Sequence, residues 1–274
     1  MSVATELLQA FATLSQHLPL PRVRALHLPR SEHRKQSSFC AVELDDGTPG
    51  LAYIALGDTR ERLAHVDTAS LAGANALTVA QGYVGGDGAA RSIGFATINA
   101  LTRWLFDRAG FEPPHSAGSL GEVALKPGER VGMVGLFGPL VKQIRESGAH
   151  LTILELPPVP ELDREGYRVT HDPAALRDCT RVLSTSTVLL NDSFESLRVH
   201  CLAATEFVLI GPGASCLPDP LFARGVTRLG GSWILDPAGV FDALETGRSW
   251  SEYARKSALD RLAYPGFEAL LGRL

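Results

Sequence analysis

The sequence has few of the residues that mark metal clusters, disulfide scaffolds or membrane spans. Only four cysteines occur in 274 residues, and no two form a C-x-x-C pair. This usage is typical of reduced thiols in the cytoplasm. No uninterrupted apolar run approaches the roughly 20 residues that a membrane-spanning helix needs. We therefore expect a cytoplasmic protein with no membrane partner.

The charge pattern gives little support for a nucleic-acid partner. The net charge is −4, and one basic stretch, "RVRALHLPRSEHRK", runs from Arg22 to Lys35. Pro29 and Glu32 interrupt this stretch, and it has no interleaved aromatic residues. The pattern is typical of a solvated edge or turn, with a binding patch as the alternative. We expect no nucleic-acid partner.

The common catalytic and metal-binding motifs are also missing. The sequence has no H-E-x-x-H, no G-x-S-x-G and no P-loop. Its histidines and cysteines show no recognised zinc or iron–sulfur spacing. The four thiols, Cys40, Cys179, Cys201 and Cys216, are not expected to form a metal cluster. Whether the protein is an enzyme stays open at this point.

What the sequence does contain begins with an α+β pattern over residues 1–115. "MSVATELLQAFATLSQHL" predicts an amphipathic helix and not a signal peptide. "SSFCAVELDDGTPGLAYIAL" predicts a hairpin, and "AARSIGFATINALTRWLFDRAG" predicts a long helix with Asp87 near its cap. The segment "AGFEPPHSAGSLGEVALKPGER" is rich in proline and glycine, which places the domain boundary there.

Residues 116–274 alternate between strand and helix patterns. "RVGMVGLF", "HLTILE", "TRVLSTS", "EFVLIGPG" and "VTRLGGSWIL" predict strands, and the last helix is expected in "SWSEYARKSALDRL". Such alternation implies right-handed β-α-β units. The predicted fold class is α/β, with a Rossmann-like, mostly parallel sheet preceded by a smaller α+β domain.

Ligands of such a sheet bind beyond the carboxyl ends of its strands, where four strand ends carry polar or glycine residues. The candidate ligand-binding residues are Gly135, Phe137, Gly138, Glu155, Ser184, Thr185, Ser186, Thr187, Asn191, Gly211, Gly213, Ser215 and Asp219.

Each of these features also has a structural interpretation. The spacing G-x-x-G-x-x-G of the first loop serves either close helix packing or an anion, and a Cβ at Gly135 or Gly138 should obstruct one of the two. Glu155 either contacts a ligand hydroxyl, amine or metal, or is a solvated strand-end carboxylate. Asn99, inside the long helix, either bonds to backbone of its own domain or reaches the cleft and helps to hold a ligand.

The segments "VGMVGLFGPLV", "LTILE", "STSTVLLNDSFESL" and "GPGASCLPDPLFARGVTRLGG" together resemble a family of heavy-metal-chelation proteins. This is a domain family of unknown function with a Rossmann-like fold. The preceding part, with "SIGFATINAL", resembles its small domain, whose fold is similar to the N-terminal domain of enolase. The resemblance implies an interdomain cleft lined by the strand-end loops, and it implies no particular reaction.

Three function classes stay open. The first is binding of a metal, a metal chelate or a small anionic metabolite in the cleft, with a role in heavy-metal chelation. The second is an enzyme that uses a nucleotide-type cofactor, S-adenosylmethionine or NAD. The third is a structural or interaction module. The sequence also leaves a homodimer open.

Overall fold

A three-stranded sheet, an eight-stranded sheet and a long buried helix organise the described part of the protein. The computed structural model describes residues 1–29, 38–118, 125–164 and 166–274. The part of the basic stretch from residue 30 onward lies outside the described residues, as does 119–124 of the predicted domain boundary. Within the described ranges, no helix combines the length and apolar character that a membrane crossing requires.

The first part of the chain forms a three-stranded antiparallel sheet covered by helices, in the strand order β1-β2-β3. Its elements are α1 (Val3–His17), β1 (Val23–His27), β2 (Phe39–Leu44), β3 (Pro49–Tyr53), α2 (Thr59–Leu63), a 3-10 turn (Thr68–Leu71), α3 (Ala76–Ala80), α4 (Gly82–Gly85) and α5 (Gly88–Arg108). The strand β1 was not expected, because its residues belong to the basic stretch.

Helix α5 is the element around which both parts pack. Asp87 caps it by accepting a hydrogen bond from the Ala90 amide, as the sequence indicates. Apolar residues on several sides of the helix are buried, because the small sheet covers one side and the second part covers another. Gly50 of β3 lets the sheet approach, since a Cβ there would lie 2.1 Å from the Ala96 carbonyl oxygen.

The second part of the chain is an eight-stranded sheet with helices and 3-10 turns. Its elements are β4 (Arg130–Val134), α6 (Gly138–Glu146), β5 (His150–Leu154), β6 (Leu162–Arg164), β7 (Tyr167–Thr170), a 3-10 turn (Pro173–Leu176), β8 (Arg181–Thr185), a 3-10 turn (Ser186–Leu189), α7 (Phe194–Arg198), β9 (Glu206–Ile210), α8 (Asp219–Phe222), β10 (Arg228–Ile234), α9 (Pro237–Thr246), a 3-10 turn (Ser251–Tyr253), β11 (Ala254–Asp260) and α10 (Phe267–Leu271).

The strand order of this sheet is β11-β10-β9-β8-β4-β5-β7-β6. Strands β7, β5, β4, β8, β9 and β10 are parallel, and β6 and β11 pair antiparallel at the two edges. Numbered along the chain, the parallel strands have the order 3-2-1-4-5-6 of the dinucleotide-binding fold. The α/β, Rossmann-like, mostly parallel sheet predicted from the sequence is therefore confirmed.

One predicted element is wrong. The segment "SWSEYARKSALDRL" forms a short 3-10 turn and then strand β11 instead of a helix. Strand β11 pairs with β10 over seven residues, from Arg228 opposite Asp260 to Ile234 opposite Ala254. The helix-forming composition of this segment is overridden by its place at the open edge of a sheet. The predicted boundary at residue 115 stays a prediction.

Candidate functional site

The order of the parallel strands fixes where a ligand crevice opens. The chain leaves β4 toward β5 on one side and later returns to β8 on the other, so the order reverses between β4 and β8. In open α/β sheets this switch point, at the carboxyl ends of the strands, is where ligands bind. A cavity of about 620 Å³ lies at this point.

Both parts of the chain line this cavity. The ends of β4, β5, β7, β8 and β9 form one side of it, while Phe39, Tyr53 and Leu56 come from the small domain. Of the predicted residues, eight line it: Gly135, Phe137, Glu155, Thr185, Ser186, Thr187, Asn191 and Gly211.

Two glycines let backbone segments approach each other at the switch point. Gly135 follows β4 with φ = +85°, and a Cβ on it would lie 3.2 Å from Cγ2 of Thr185. Gly211 follows β9 with φ = +145°, and a Cβ there would lie 2.5 Å from Oγ of Ser186. Both conformations favour glycine, and both positions are crowded. These glycines have a structural reason to be present, whatever the ligand.

Glu155 is tied to the glycine loop. Its Oε1 atom accepts a hydrogen bond from the Leu136 amide at 2.6 Å, and its Oε2 atom accepts one from the Leu156 amide at 2.9 Å. The carboxylate therefore spans the loops after β4 and β5. An ionised carboxylate has about four acceptor positions, so acceptor capacity remains for a ligand.

The hydroxyl-rich loop after β8 is partly occupied with its own turn. Thr185 caps the 3-10 turn by accepting from the Thr187 amide, and the Oγ1 atoms of these two residues lie 3.0 Å apart. Small-domain side chains hold the end of this loop. Tyr83 Oη donates to the Leu189 carbonyl at 2.9 Å, and Arg91 forms an ion pair with Asp192.

Six predicted residues lie outside this cavity. Ser184 is buried in β8, and Gly138 lines a second cavity of about 630 Å³ that shares Phe137 and Gly211 with the first. Asp219 accepts hydrogen bonds from Tyr264 Oη at 2.6 Å and the Phe267 amide at 3.0 Å, which anchors the C-terminal segment. Ser215 donates to the Pro212 carbonyl at 3.1 Å. Gly213 and Asn99 are the remaining two.

The structure corrects the expectation about Gly138 in one respect. A Cβ at this position would have no heavy atom within 4 Å, so it would not obstruct helix packing. Gly138 begins α6, and a side chain added at this position would point toward open space. Its bearing on a ligand stays a prediction.

Several residues of the cavity were not among the predicted ones. His171 and His200 lie on its wall together with Ser193 and Ser196. His171 Nε2 donates to the Val159 carbonyl at 2.8 Å, while the solvent-shielded Nδ1 of His200 has no hydrogen-bond partner among the described residues. His171 was not predicted to line the cavity because it follows β7, a strand that was not predicted from the sequence.

The metal-binding capacity of the described residues is limited. They contain no group of three or more His, Cys, Asp or Glu side chains that could hold a metal ion. All four cysteines are buried and free, and none of them lines the cavity at the switch point. Burial raises the pKa of Cys40, Cys201 and Cys216 to about 12 and that of Cys179 to about 11. These thiols are therefore not poised as thiolate ligands.

The structure is that of an α/β protein with a cavity at the switch point of a Rossmann-type sheet. A model of the family DUF364, described as "Putative heavy-metal chelation", matches residues 120–263, more than half of the chain. The chain belongs to this family. A second model with the same description, DUF4213, matches residues 36–102. The resemblance stated from the sequence is thereby confirmed.

Two solved structures of DUF364 proteins share the fold. One, from Desulfitobacterium hafniense, is 20% identical, with a TM-score of 0.70 over 95% of this chain and 100% of its own. The other, from Pyrococcus horikoshii, is 15% identical, with a TM-score of 0.66 over 94% of this chain and 100% of its own. The comparison with curated proteins gives no match. At these identities the likeness shows the fold alone.

Proposed function

We propose that the protein binds a small organic molecule, alone or as the chelate of a heavy-metal ion, in the cavity between its two domains. The observation that carries this proposal is the cavity of about 620 Å³ at the switch point, with walls from both domains. Ligand pockets in proteins commonly have volumes of about 300–1,000 Å³ and lie at domain interfaces and switch points. The family description supports a role in heavy-metal chelation.

The available side chains favour a chelate over a bare ion. Heavy-metal ions prefer thiolate and imidazole ligands, and the cysteines are buried outside the cavity lining with raised pKa values. The cavity offers Glu155, His171 and His200, which do not form a group able to hold an ion. A metal bound here would bring most of its ligands with it, and the protein would recognise the organic shell.

The second candidate is an enzyme that uses a nucleotide-type cofactor, S-adenosylmethionine or NAD. The observation that favours it is Glu155, which follows the second strand of a 3-2-1-4-5-6 sheet and lines the cavity. In dinucleotide-binding proteins an acid in this place bonds ribose hydroxyls. Because an enzyme also needs catalytic groups, binding is the primary proposal.

A substitution that fills part of the cavity with a large side chain tests the proposal. Ser196 is exposed and lines the cavity, and its Oγ donates to the Ser193 carbonyl. Ser15 in α1 is the matched control, because it is also exposed and its Oγ donates to the carbonyl three residues earlier. A tryptophan at residue 196 should occupy ligand space, and one at residue 15 should not.

Native mass spectrometry of the freshly purified chain looks for a bound organic mass. Calorimetry then uses Cu²⁺ alone, the neutral Cu²⁺–histidine chelate, S-adenosylmethionine and NAD as probes. We expect at least one organic probe or retained molecule to bind, with Ser196→Trp weakening it by about tenfold or more and Ser15→Trp leaving it unchanged. If both variants bound the probe equally well, the cavity would not be the binding site.

A further inference from the structure

Two backbone donors of the loop after β4 are used within the protein. The Leu136 amide donates to Oε1 of Glu155 at 2.6 Å, and the Gly135 amide donates to the Leu154 carbonyl at 3.0 Å. In sheets of this order, the same loop normally turns its amides toward the phosphates of a nucleotide. Here a side-chain carboxylate takes a donor that a phosphate would use.

The start of helix α6 has also lost some of the donors that a phosphate would use. Pro139 lies in its first turn and has no N–H group. The amides of Leu140 and Val141 both donate to the Phe137 carbonyl. The first turn therefore presents fewer free donors than a dinucleotide-binding helix does.

The charge of the cavity points the same way. Glu155 is the one acidic side chain on the wall formed by the described residues, and no lysine or arginine accompanies it there. A phosphate bound in this cavity would share its wall with the Glu155 carboxylate, and Arg255 and Lys256 line only the adjoining cavity, on the side of Gly138. Like charges in a partly enclosed site repel strongly, since solvent screens them poorly.

The remaining features fit a molecule with a flat ring and hydroxyl or amino groups. Phe39 and Tyr53 pair across β2 and β3, and both line the cavity together with Phe137. Asn191 and Thr187 offer an amide and a hydroxyl on the wall. Glu155, with acceptor positions left, can receive hydrogen bonds from ligand hydroxyl or ammonium groups.

We infer that the ligand is an unphosphorylated, neutral or positively charged molecule of the nucleoside type, and that Glu155 excludes phosphorylated nucleotides. This inference rests on the proposed function. It narrows that function to one class of ligand and assigns Glu155 the role of a specificity-determining residue. Between the two cofactors named above, it favours S-adenosylmethionine, which has a positive charge and no phosphate, and disfavours NAD.

The test compares probes that differ in phosphate. Calorimetry with the full chain uses adenosine against AMP, and S-adenosylmethionine against NAD. We expect adenosine or S-adenosylmethionine to bind, and its phosphorylated counterpart to bind about tenfold more weakly or worse. Glu155→Gln keeps the shape of the side chain and removes its charge. It should therefore reduce the difference in affinity between the unphosphorylated and the phosphorylated probe. Glu161→Gln is the matched control, because Glu161 also accepts from a backbone amide, that of His171, but lies outside the cavity wall.

Two results would overturn the inference. One is AMP or NAD binding to the unaltered chain as tightly as the unphosphorylated probe. The other is no binding by any of the four probes. In either case Ser196→Trp tests the proposed function separately. If the unaltered chain binds a retained molecule or the copper chelate and Ser196→Trp does not, the cleft is still a binding site. Equal discrimination in Glu155→Gln and the unaltered chain would remove Glu155 from the specificity.

Discussion

The Nδ2 atom of Asn99 lies 3.3 Å from the Gly213 carbonyl oxygen and donates a hydrogen bond to it, which connects helix α5 to the loop after β9. The same atom lies 2.7 Å from the Leu51 carbonyl oxygen of the small sheet. Asn99 thus bonds both to the small sheet and to the loop after β9, and its role in holding a ligand stays a prediction. Since Gly211 and Pro212 of that loop line the cavity at the switch point, Asn99 helps to position the cavity wall.

Asn99→Ala should lower the free energy of unfolding by about 1–3 kcal/mol, because it leaves two buried carbonyls without a donor. Thr102→Val is the control on the same helix, since Thr102 Oγ1 bonds only to the Ile98 carbonyl, which the helix already satisfies. Urea unfolding measures both variants. An Asn99→Ala variant no less stable than Thr102→Val would contradict the role assigned to Asn99.

Close packing around α5 makes a second prediction. A Cβ on Gly94 would lie 2.2 Å from the Tyr83 backbone nitrogen, whereas one on Gly85 would meet nothing within 4 Å. Gly94→Ala should therefore destabilise the protein by about 1–3 kcal/mol through overpacking. Gly85→Ala should be neutral or stabilising, since alanine favours the helix. Thermal unfolding of the two variants provides the comparison, and a stable Gly94→Ala would show that α4 can move away.

The fold was largely predictable because strand and helix patterns alternate along residues 130–246, and each pattern agrees with its burial. The exception is β11, where alanine, arginine, lysine and leucine favour a helix locally. The burial of Ser257 and Leu259, separated by a half-exposed Ala258, follows the period of a strand. This two-residue alternation is too short in the sequence to favour a strand over a helix. Pairing with β10 makes the segment a strand.

The candidate site was predictable as a set of strand ends but not in its details. Parallel strands bring their carboxyl ends to one edge, which explains why Gly135, Glu155, Thr185 and Gly211 share a cavity. The bond from the Leu136 amide to Glu155 depends on the angle at which two loops leave the sheet, which the sequence does not encode locally. The contribution of Phe39 depends on how the domains dock.

The two glycines of the first loop should respond differently to substitution. Gly135→Ala forces a side chain into φ = +85° and against Thr185, so it should lower the free energy of unfolding by about 1–2 kcal/mol. Gly138→Ala has open space around its Cβ and should leave stability unchanged. Urea unfolding distinguishes the two variants. Since Gly138→Ala should keep its stability, any change in its affinity for a probe would come from contact with the ligand. Equal destabilisation by both would contradict the geometry of this loop.

An interdomain ion-pair cluster predicts a loss of stability in acid. The Arg224 guanidinium donates to Glu6 and lowers the pKa of that carboxyl. Burial alone would raise the pKa of Glu195, but hydrogen bonds from Arg198 and Arg224 outweigh it and the pKa is lowered. A lowered carboxyl pKa contributes stability above the unfolded value, about 4.3, and that contribution disappears as the pH falls through the folded value.

Arg224→Met should therefore lower the free energy of unfolding by about 1–2 kcal/mol at neutral pH, after allowance for the partial exposure of the two carboxylates. The difference from the unaltered chain should shrink as the pH falls below about 4. Urea unfolding across this pH range measures it. Lys142→Met, which removes an exposed pair with Glu146, should change much less. A difference that stays constant down to low pH would contradict the assignment to these carboxylates.

The four thiols should be unreactive in the folded chain. Burial is the main cause of the raised pKa of Cys40, Cys179, Cys201 and Cys216, so at pH 8 a thiol with a pKa of about 12 is ionised in only about one molecule in 10,000. Ellman's reagent should produce little colour until urea is added, after which four thiols per chain should react. Cd²⁺ added to the native protein should give no thiolate charge-transfer band. Rapid native reaction of a thiol, blocked by stoichiometric Cd²⁺, would instead mean that cysteines take part directly in metal binding.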